Sequence, residues 1–221
     1  MAKVEARTKL FNKFDVLQWN ANKSYLDDLE REGAPVIASL VVDRVTEKNI
    51  ARAFKELETD QLVIKPLIGG GAWRQVLHKE GDPLPPKDEL PPAGALIQPF
   101  LESVKTEGEY SFIYFGGKYS HGVLKRAKAG DYRVQSFYGG TEETYVATSE
   151  ERASLREILD ALSFTPVYAR IDFLRGRDGG LKLIELEMLE PYLYLAHSEG
   201  EGADNKGAQK LVEVLIKRLK D

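Results

Sequence analysis

Three carboxylates in the last third of the chain have the residue types and spacing of a divalent-metal site. Asp172 lies in an apolar stretch at 167–174, and Glu185 and Glu187 lie in a second one at 181–189. The Asp-Gly-Gly sequence between the two stretches predicts a hairpin turn. Because residues i and i+2 of a strand point the same way, Glu185 and Glu187 share a face, and the hairpin can bring Asp172 opposite them.

Three acids on one face of a sheet repel one another unless a cation lies between them. Ligands that are all oxygen favour magnesium. The alternative interpretation is a half-solvated antiparallel face that carries acids without a metal. The carboxylates by themselves leave both interpretations open.

A lysine and three glycines after an apolar strand indicate a phosphate-binding loop. Lys65 lies near the end of the predicted strand 61–66, and Gly69, Gly70 and Gly71 follow it. Glycines let backbone N–H groups approach phosphate oxygens closely, and the lysine adds a positive charge. No Gly-Lys-Ser/Thr follows, so the loop is not of the Walker type. A flexible hairpin tip with a solvated lysine is the alternative.

An apolar strand that runs into a polar segment at 97–109 could present backbone groups to a flat heterocycle. Glu102, Glu107 or Glu109 would then be available to ribose hydroxyls.

Arg126 and Arg133 could clamp a phosphoryl or carboxylate group through paired N–H donors, although arginines in loops are often only solvated. No Ser/His/Asp triad competes with these groups. The histidines, His78, His121 and His197, give no support to a histidine-based mechanism.

The predicted elements follow an irregular order of helices and hairpins, which indicates an α+β fold and not a doubly wound sheet. Apolar runs predict strands at 35–42, 61–66, 94–100, 109–115, 118–126, 167–174 and 181–189. Caps and apolar stripes predict a helix at 19–33, one after Thr46 with the stripe Ile50, Ala51, Phe54 and Leu57, one after Thr148, and a C-terminal one with Leu211, Leu215 and Leu219. Thr148 and Glu151 have the spacing of a capping box.

A proline-rich stretch at 82–92 can be neither a helix nor a central strand, so it indicates a connector. We place the boundary between two subdomains there. The expected division is an N-terminal extension at 1–18, a first subdomain at 19–93 and a second at 94–221.

The composition bounds the function classes. With 221 residues the chain can bury a sizeable core, and its net charge of −4 gives no reason to expect nucleic acid or an anionic membrane as a partner. No apolar run approaches the roughly 20 residues that span a bilayer, and the N-terminus lacks the apolar core of a signal peptide. The absence of cysteine excludes disulfides and thiolate chemistry. We therefore expect a cytoplasmic protein.

Taken together and in this order, the motifs resemble those of the ATP-grasp superfamily. The chain is most similar to the ATP-binding domain of bacterial-type glutathione synthetases and to the ligases of D-cycloserine biosynthesis. The resemblance runs from about Trp19 to the C-terminus. It implies an α+β ATP-grasp fold, in which two subdomains with antiparallel sheets grip ATP between them.

The resemblance also implies a role for each motif. The first lysine motif at 19–36 places Lys23 on the nucleotide phosphates, beside Lys65 and the mobile loop of Gly69, Gly70 and Gly71. The implied adenine site is the hinge Gln98, Pro99, Phe100 and Leu101, through the Pro99 carbonyl and the Leu101 N–H, with Glu109 on the ribose. Arg126 and Arg133 match catalytic arginines near the transferred phosphate and the acceptor carboxylate, and Asp172, Glu185 and Glu187 match the magnesium ligands.

The implied activity is ATP-dependent ligation of a carboxylate to an amine through an acylphosphate, with release of ADP. The implied ligands are ATP and Mg²⁺, and the implied substrates are small carboxylates and amines of amino-acid or peptide type. Two alternatives are an ATP-binding module or subunit without ligase activity and an ATP-grasp kinase.

The chain departs from the family pattern at two points. Glu187 stands where the superfamily usually has asparagine, which makes the metal site more acidic. The family also carries an N-terminal domain ahead of the first lysine motif, where this chain has about twenty residues. A homodimer or a separate N-terminal-domain partner is therefore expected.

Overall fold

The structure, a computed structural model, describes residues 1–220. Two antiparallel sheets face each other across a cleft, and helices cover their outer faces. The helices are α1 (Ala2–Glu5), α2 (Phe14–Asn20), α3 (Tyr25–Arg31), α4 (Glu47–Glu56), α5 (Ser103–Thr106), α6 (Ser149–Asp160) and α7 (Lys206–Lys220). The strands are β1 (Leu40–Val42), β2 (Gln61–Pro66), β3 (Val76–Lys79), β4 (Ala95–Pro99), β5 (Glu109–Phe115), β6 (Lys118–Arg126), β7 (Thr141–Tyr145), β8 (Tyr168–Arg175) and β9 (Leu181–Glu187).

The smaller sheet has the strand order β1-β4-β2-β3. The sequences of its two central strands, β4 and β2, are nearly continuous apolar runs because both faces of these strands are covered. The outer face packs on α4 through Ile50 and Phe54, and Thr46 caps that helix by accepting a hydrogen bond from the Asn49 N–H. Pro66 and Pro99 end strands β2 and β4, where the missing N–H costs no hydrogen bond inside the ladder.

The larger sheet has the strand order β7-β6-β5-β8-β9. Its back face buries Phe112, Ile171 and Phe173 against Leu155 and Ile158 of α6. The predicted capping box starts that helix, because Thr148 and Glu151 exchange side-chain and backbone hydrogen bonds. The front face of this sheet, which looks into the cleft, is the face that carries charge.

Two β-bulges in the larger sheet decide which residues occupy the front face. One lies in β6 opposite Ile113 and Tyr114, and the other lies in β9 opposite Asp172 and Phe173. Counting residues back from each hairpin turn without a bulge would pair Glu109 with Leu124 and Asp172 with Ile184. The extra residue shifts the register by one, so Glu109 pairs with Lys125 and Asp172 with Glu185.

The predicted α+β class with antiparallel sheets is confirmed, but several local predictions are wrong. The short helix predicted within 19–33 is α3, which begins a few residues after the expected asparagine cap, and α2 before it was not predicted. The predicted strand at 35–42 is reduced to β1 and an isolated parallel bridge from Val36 to Leu183. Strands β3 and β7 lack a strand pattern in the sequence, because β3 has only four residues and β7 is polar. On α4, Ala53 is buried and Ala51 is exposed.

The segment at 1–18 packs on the larger sheet. The Asn12 side chain donates to the backbone oxygens of Tyr168 and Met188, and Val16 of α2 lies in the core. β4, which follows the predicted boundary at 93, pairs within the smaller sheet. Within residues 1–220, no helix combines the length and the apolar character needed to cross a membrane.

Candidate active site

A cleft of about 630 Å³ separates the smaller sheet from the front face of the larger one. Strands β2 and β4 and the loop at 67–75 form one wall. The front faces of β5, β6, β8 and β9 form the opposite wall, and the segments at 132–142 and 189–194 close the ends. Most of the residues named from sequence as site residues line this cleft, with the exceptions of Arg126 and of Glu102 and Glu107, the alternatives to Glu109.

The predicted convergence of the three carboxylates is present. Asp172, Glu185 and Glu187 each offer an oxygen, and these oxygens lie within 4.8 Å of one another. Asp172 is 1% exposed and is paired across the strands with Glu185. The bulge at Ile184 is what brings both glutamates onto the face that Asp172 occupies, because alternation then keeps Glu185 and Glu187 together.

Arg170 lies beside the three carboxylates and was missed in the sequence. Its Nε donates to both oxygens of Asp172 at 3.0 Å, and its Nη2 donates to Asp172 Oδ2 at 2.9 Å and to Glu187 Oε1 at 2.5 Å. Its place two residues before Asp172 on a strand is the signal that could have found it, since such residues share a face.

Lys125 is the second cation of the front face. It is buried, forms an ion pair with Glu109 directly opposite on β5, and its Nζ lies 3.6 Å from Asp172 Oδ1. Ser111 completes this group, because its Oγ donates to Asp172 Oδ1 at 2.5 Å. Asp172 and Glu109 outweigh the effect of burial and raise the pKa of Lys125, so the ammonium stays charged.

Lys65 approaches the carboxylates from the opposite wall, and Lys23 approaches them from the turn between α2 and α3. Lys23 Nζ lies 2.8 Å from Glu185 Oε1 and donates to the Gly69 carbonyl at 2.6 Å, which ties the glycine loop to the acidic centre. Within residues 1–220 Lys65 has no ion-pair partner. Burial lowers its pKa, and the nearby Glu185 only partly offsets that effect.

The pKa values of Asp172 and Glu187 are shifted in opposite directions. Burial opposes ionisation of Asp172, but Arg170 and Lys125 outweigh it and hold its pKa below the ordinary value. Burial, together with the charges of Asp172 and Glu185, raises the pKa of Glu187 to about 7. The cations of the cleft thus offset burial at Asp172 but not at Glu187, and a further cation bound by the three carboxylates would favour the ionised form of Glu187.

The hinge between the sheets leaves two backbone groups without partners. The backbone N–H and carbonyl groups of Gln98 and Phe100 point toward β2, and the Phe100 N–H donates to the Gln61 carbonyl at 2.8 Å. The Pro99 carbonyl points to the opposite side of β4, toward β1. It lies past Leu40 and Ile97, the last residue pair between β1 and β4. The Leu101 N–H has no acceptor among residues 1–220.

An apolar pocket adjoins these two groups, which could therefore bind the edge of a flat heterocycle. It is lined by buried side chains from both walls, namely Ile37, Val63, Phe100, Val104, Leu174 and Ile184.

The glycine loop at 67–75 extends over the cleft. Gly69 has φ 150° and Gly71 has φ 60°, values that other residues rarely adopt. A Cβ on Gly71 would lie 3.6 Å from the Phe137 ring on the opposite wall, so the two rims of the cleft nearly meet there. Gly70 has open space around it and no positive φ, so the folded backbone does not itself require glycine at that position.

The two predicted arginines lie in different places. Arg133 lines the cleft, donates from Nη2 to Asp131 Oδ2 at 2.7 Å and stacks 3.7 Å from the centre of the Tyr138 ring. Arg126 points away from the cleft and binds Glu143 and the Glu107 carbonyl. Lys125, and not Arg126, lines the cleft, because the bulge in β6 places Lys125 on the front face and Arg126 on the back.

No protein-family model matches the chain. In sequence it is similar to the cycloserine biosynthesis protein DcsG of Streptomyces lavendulae, at 29% identity over 231 residues that cover 96% of this chain and 74% of DcsG. In structure it is similar to the D-cycloserine synthetase DcsG, with a TM-score of 0.82 and 26% identity, covering 99% of this chain and 76% of that one.

Two further solved structures are similar at lower identity. The ATP-grasp ligase PsnB, complexed with a minimal precursor, Mg and ADP, matches with a TM-score of 0.67 and 15% identity over 97% of this chain and 63% of PsnB. The D-alanine–D-alanine ligase of Bacillus anthracis, complexed with ATP, matches with a TM-score of 0.57 and 18% identity over 90% of this chain and 65% of that ligase. At these identities the likeness concerns the fold alone.

Proposed function

We propose that this chain, which has the fold of the ATP-grasp ligases and is related in sequence to DcsG, is an ATP-dependent carboxylate–amine ligase. The resemblance inferred from the sequence motifs is confirmed at the level of the fold. The steps of the reaction and the roles of individual residues are our proposal.

One observation carries the proposal. A cluster of three carboxylates lies in a single cleft with four cations, Lys23, Lys65, Lys125 and Arg170, between two antiparallel sheets. Phosphoryl transfer needs little covalent chemistry from the protein and depends on neutralising and aligning phosphate oxygens. A cation-rich cleft with its own metal-type ligands supplies both.

The carboxylates fit magnesium. Their oxygens are hard ligands at a mutual separation that one ion can bridge, and a bound cation would oppose the burial and the neighbouring carboxylates that raise the pKa of Glu187. We infer that Asp172, Glu185 and Glu187 would hold it. When bound, magnesium neutralises the phosphates of ATP and polarises the phosphoryl group that is transferred. Lys23 and Arg170, which now balance Glu185 and Glu187, would then be free to face the nucleotide.

The Pro99 carbonyl and the Leu101 N–H of the hinge fit the edge of adenine. The exocyclic amine of adenine can donate to the Pro99 carbonyl, and a ring nitrogen can accept from the Leu101 N–H. Guanine presents the opposite pattern at that edge, so the same pair of backbone groups selects against it. We place Glu109 near the ribose, at the start of β5.

The chemistry of the remaining residues follows from their charge. Lys65, Lys125 and Arg170 would stabilise the negative charge that develops on the γ-phosphoryl group as a substrate carboxylate attacks it. The attack forms a carboxyl–phosphate bond and breaks the bond to ADP. An amine then displaces phosphate from the acylphosphate. The loop of Gly69, Gly70 and Gly71 would exclude water during these steps, since water would hydrolyse the acylphosphate.

The substrates are proposed only as classes. Arg133 at the rim of the cleft suits a substrate carboxylate, and a cleft of this size accommodates an amino acid or short peptide beside ATP.

The test is a screen of amino acids and dipeptides, in pairs, for magnesium-dependent phosphate release by the purified chain. We expect phosphate release that requires ATP, magnesium, an acid and an amine together, and ATP should raise the melting temperature more than GTP does. ADP formation without an amine-linked product would indicate a kinase instead. Stabilisation by ATP without turnover would indicate a binding module, and equal stabilisation by GTP would contradict the hinge assignment.

A further inference from the structure

Tyr194 has a strained backbone at the edge of the cleft. Its φ of 47° and ψ of 37° lie in the left-handed region, which residues with a side chain rarely adopt. Such a conformation persists only where the surroundings hold it, and it is concentrated at functional sites. The chain uses a tyrosine here, although glycine or asparagine would fit this backbone better.

The backbone around Tyr194 is fixed from several directions. The ring of His121 donates to the Leu193 carbonyl at 2.9 Å, and the His197 N–H donates to the Tyr194 carbonyl at 2.9 Å. The Asn205 side chain donates to the Leu195 carbonyl at 2.7 Å. The contact from His197 is local, and the other two come from β6 and from the segment before α7, so the surroundings hold Tyr194 against the front face.

The ring of Tyr194 lies beside both front-face cations. Its centroid is 5.9 Å from Lys125 Nζ and 5.9 Å from Arg170 Cζ. An aromatic face within about 6 Å attracts a cation through its quadrupole, and the attraction is stronger in a desolvated site. The phenol oxygen has no hydrogen-bond partner among residues 1–220, so nothing within that part of the chain uses the hydroxyl.

Both cations are also held by carboxylates. Lys125 is paired with Glu109, and Arg170 with Asp172 and Glu187. When a metal ion takes Asp172 and Glu187, Arg170 loses its carboxylate partners and Lys125 keeps only Glu109, whereas a neutral ring keeps its attraction for both cations. The ring is therefore the contact that both cations share in the loaded site.

We propose that Tyr194 is a positioning residue, whose ring, and not its hydroxyl, holds Lys125 and Arg170 at the place of the transferred phosphoryl group. This inference rests on the proposed ligase function for its effect on turnover. The position of the ring against Lys125 is a property of the folded chain and does not depend on that function.

The experiment compares Tyr194→Phe with Tyr194→Asn. Phenylalanine keeps the ring, whereas asparagine removes it and is tolerated in the left-handed region. We expect Tyr194→Phe to release phosphate within about threefold of the parent rate. Tyr194→Asn should lose at least about tenfold in kcat, which corresponds to about 1.4 kcal/mol. The affinity for Mg-ADP, which lacks the γ-phosphoryl group, should stay within about twofold in both.

A second measurement does not need turnover. In protein labelled with ¹³C at the lysine ε position, the resonance of Lys125, assigned by its loss in Lys125→Gln, should show a ring-current shift in the parent and in Tyr194→Phe. That shift should vanish in Tyr194→Asn.

The outcomes separate the two proposals. A Tyr194→Phe variant as impaired as Tyr194→Asn, or a Tyr194→Asn variant with parental turnover or an unchanged Lys125 resonance, would overturn the role of the ring. Loss of Mg-ADP binding in Tyr194→Asn would also overturn it, because it would indicate a general collapse of the cleft. If the parent itself releases no phosphate, the ligase function fails, and the lysine resonance still decides whether the ring holds Lys125.

Discussion

The larger sheet carries a charged cluster on each face, and the two are built in opposite ways. The front cluster comprises Glu109, Asp172, Glu185 and Glu187 with Lys23, Lys65, Lys125 and Arg170. The back network comprises Glu107, Tyr110, Tyr145, Glu151 and Arg175, and it lies between β5, β7, β8 and the start of α6.

The back network is complete in itself. Arg175 donates to Glu107 at 2.7 Å and to Glu151 at 3.1 Å, and Tyr145 donates to both oxygens of Glu151. The hydrogen bonds outweigh the effect of burial and hold the pKa of Glu151 below its ordinary value. A network satisfied in this way fixes a helix to a sheet and leaves no capacity for a ligand.

The front cluster is incomplete in itself. Burial raises the pKa of Glu187 to about 7, and Lys65 is a cation with no ion-pair partner among the described residues. The presence of buried charge therefore does not distinguish a ligand-binding site from a structural network. The distinguishing property is whether the groups satisfy one another without a ligand.

The largest effect should come from removing one carboxylate of the front cluster. We expect Glu185→Gln to lower magnesium-dependent phosphate release by at least about a thousandfold, because a ligand of the metal is lost. The apo-protein should melt at the parental temperature. Removal of one charge relieves repulsion with Asp172 and Glu187, and Lys23 keeps the Gly69 carbonyl. A sharp fall in apo stability, or retained activity, would mean that Glu185 belongs to a structural network like that of the back face.

A matched pair of variants tests which face of β6 serves the site. We expect Lys125→Gln to reduce kcat by at least about a hundredfold, since a charge near the transferred phosphoryl group is lost. Arg126→Gln, one residue away on the opposite face, should stay within about twofold, since Arg126 binds only Glu143 and the Glu107 carbonyl. Initial rates of phosphate release, with melting curves for both variants, provide the measurement. The reverse order of effects would return Arg126 to the active site and contradict the front and back assignment.

The front cluster can also be disturbed without changing any charge. We expect Gly70→Val to lower turnover by at least about tenfold, or roughly 1.4 kcal/mol of transition-state stabilisation, while ATP affinity changes much less. The side chain would have open space in the present conformation and would act on closure of the loop. Residual activity should release phosphate without product, because water reaches the acylphosphate.

Gly70→Ala is the matched control for that variant, and we expect an effect intermediate between parent and Gly70→Val. The ratio of phosphate released to product formed is the decisive quantity. A Gly70→Val variant with parental turnover and a parental ratio would mean that the glycine loop is only a hairpin tip.

The smallest effect on activity should come from the back network. We expect Glu151→Gln to leave turnover within about twofold and to lower the free energy of unfolding at pH 7 by about 1–2 kcal/mol, since a charged hydrogen-bond partner of Arg175 is lost. Because folding lowers the pKa of Glu151, its stabilising effect is present above the ordinary value of 4.5 and is lost as the pH falls below it.

The difference in unfolding free energy between parent and Glu151→Gln should therefore shrink between pH 5 and pH 3, as measured by urea denaturation. A difference that persists at pH 3 would show that the carboxylate charge is not what stabilises the helix start. A large loss of turnover at pH 7 would join the back network to the active site.

Several features followed from the sequence by itself. The hairpin of β8 and β9 was predicted from two apolar runs around Asp-Gly-Gly, and the facing of Glu185 and Glu187 from their spacing. The start of α6 was predicted from Thr148 and Glu151. These features depend on neighbours in the chain, so the period of a strand, a turn residue or a cap is enough to specify them.

Only the tertiary structure decided how the strands face one another. Alternation predicts which residues of one strand share a face, but the phase between two strands changes when a bulge inserts one residue. The bulge in β9 brings Glu185 opposite Asp172, and the bulge in β6 brings Lys125, and not Arg126, to the cleft. Strands β3 and β7 likewise form because a neighbouring strand pairs with them. Each is an edge strand that buries too little apolar surface to give a recognisable pattern in the sequence.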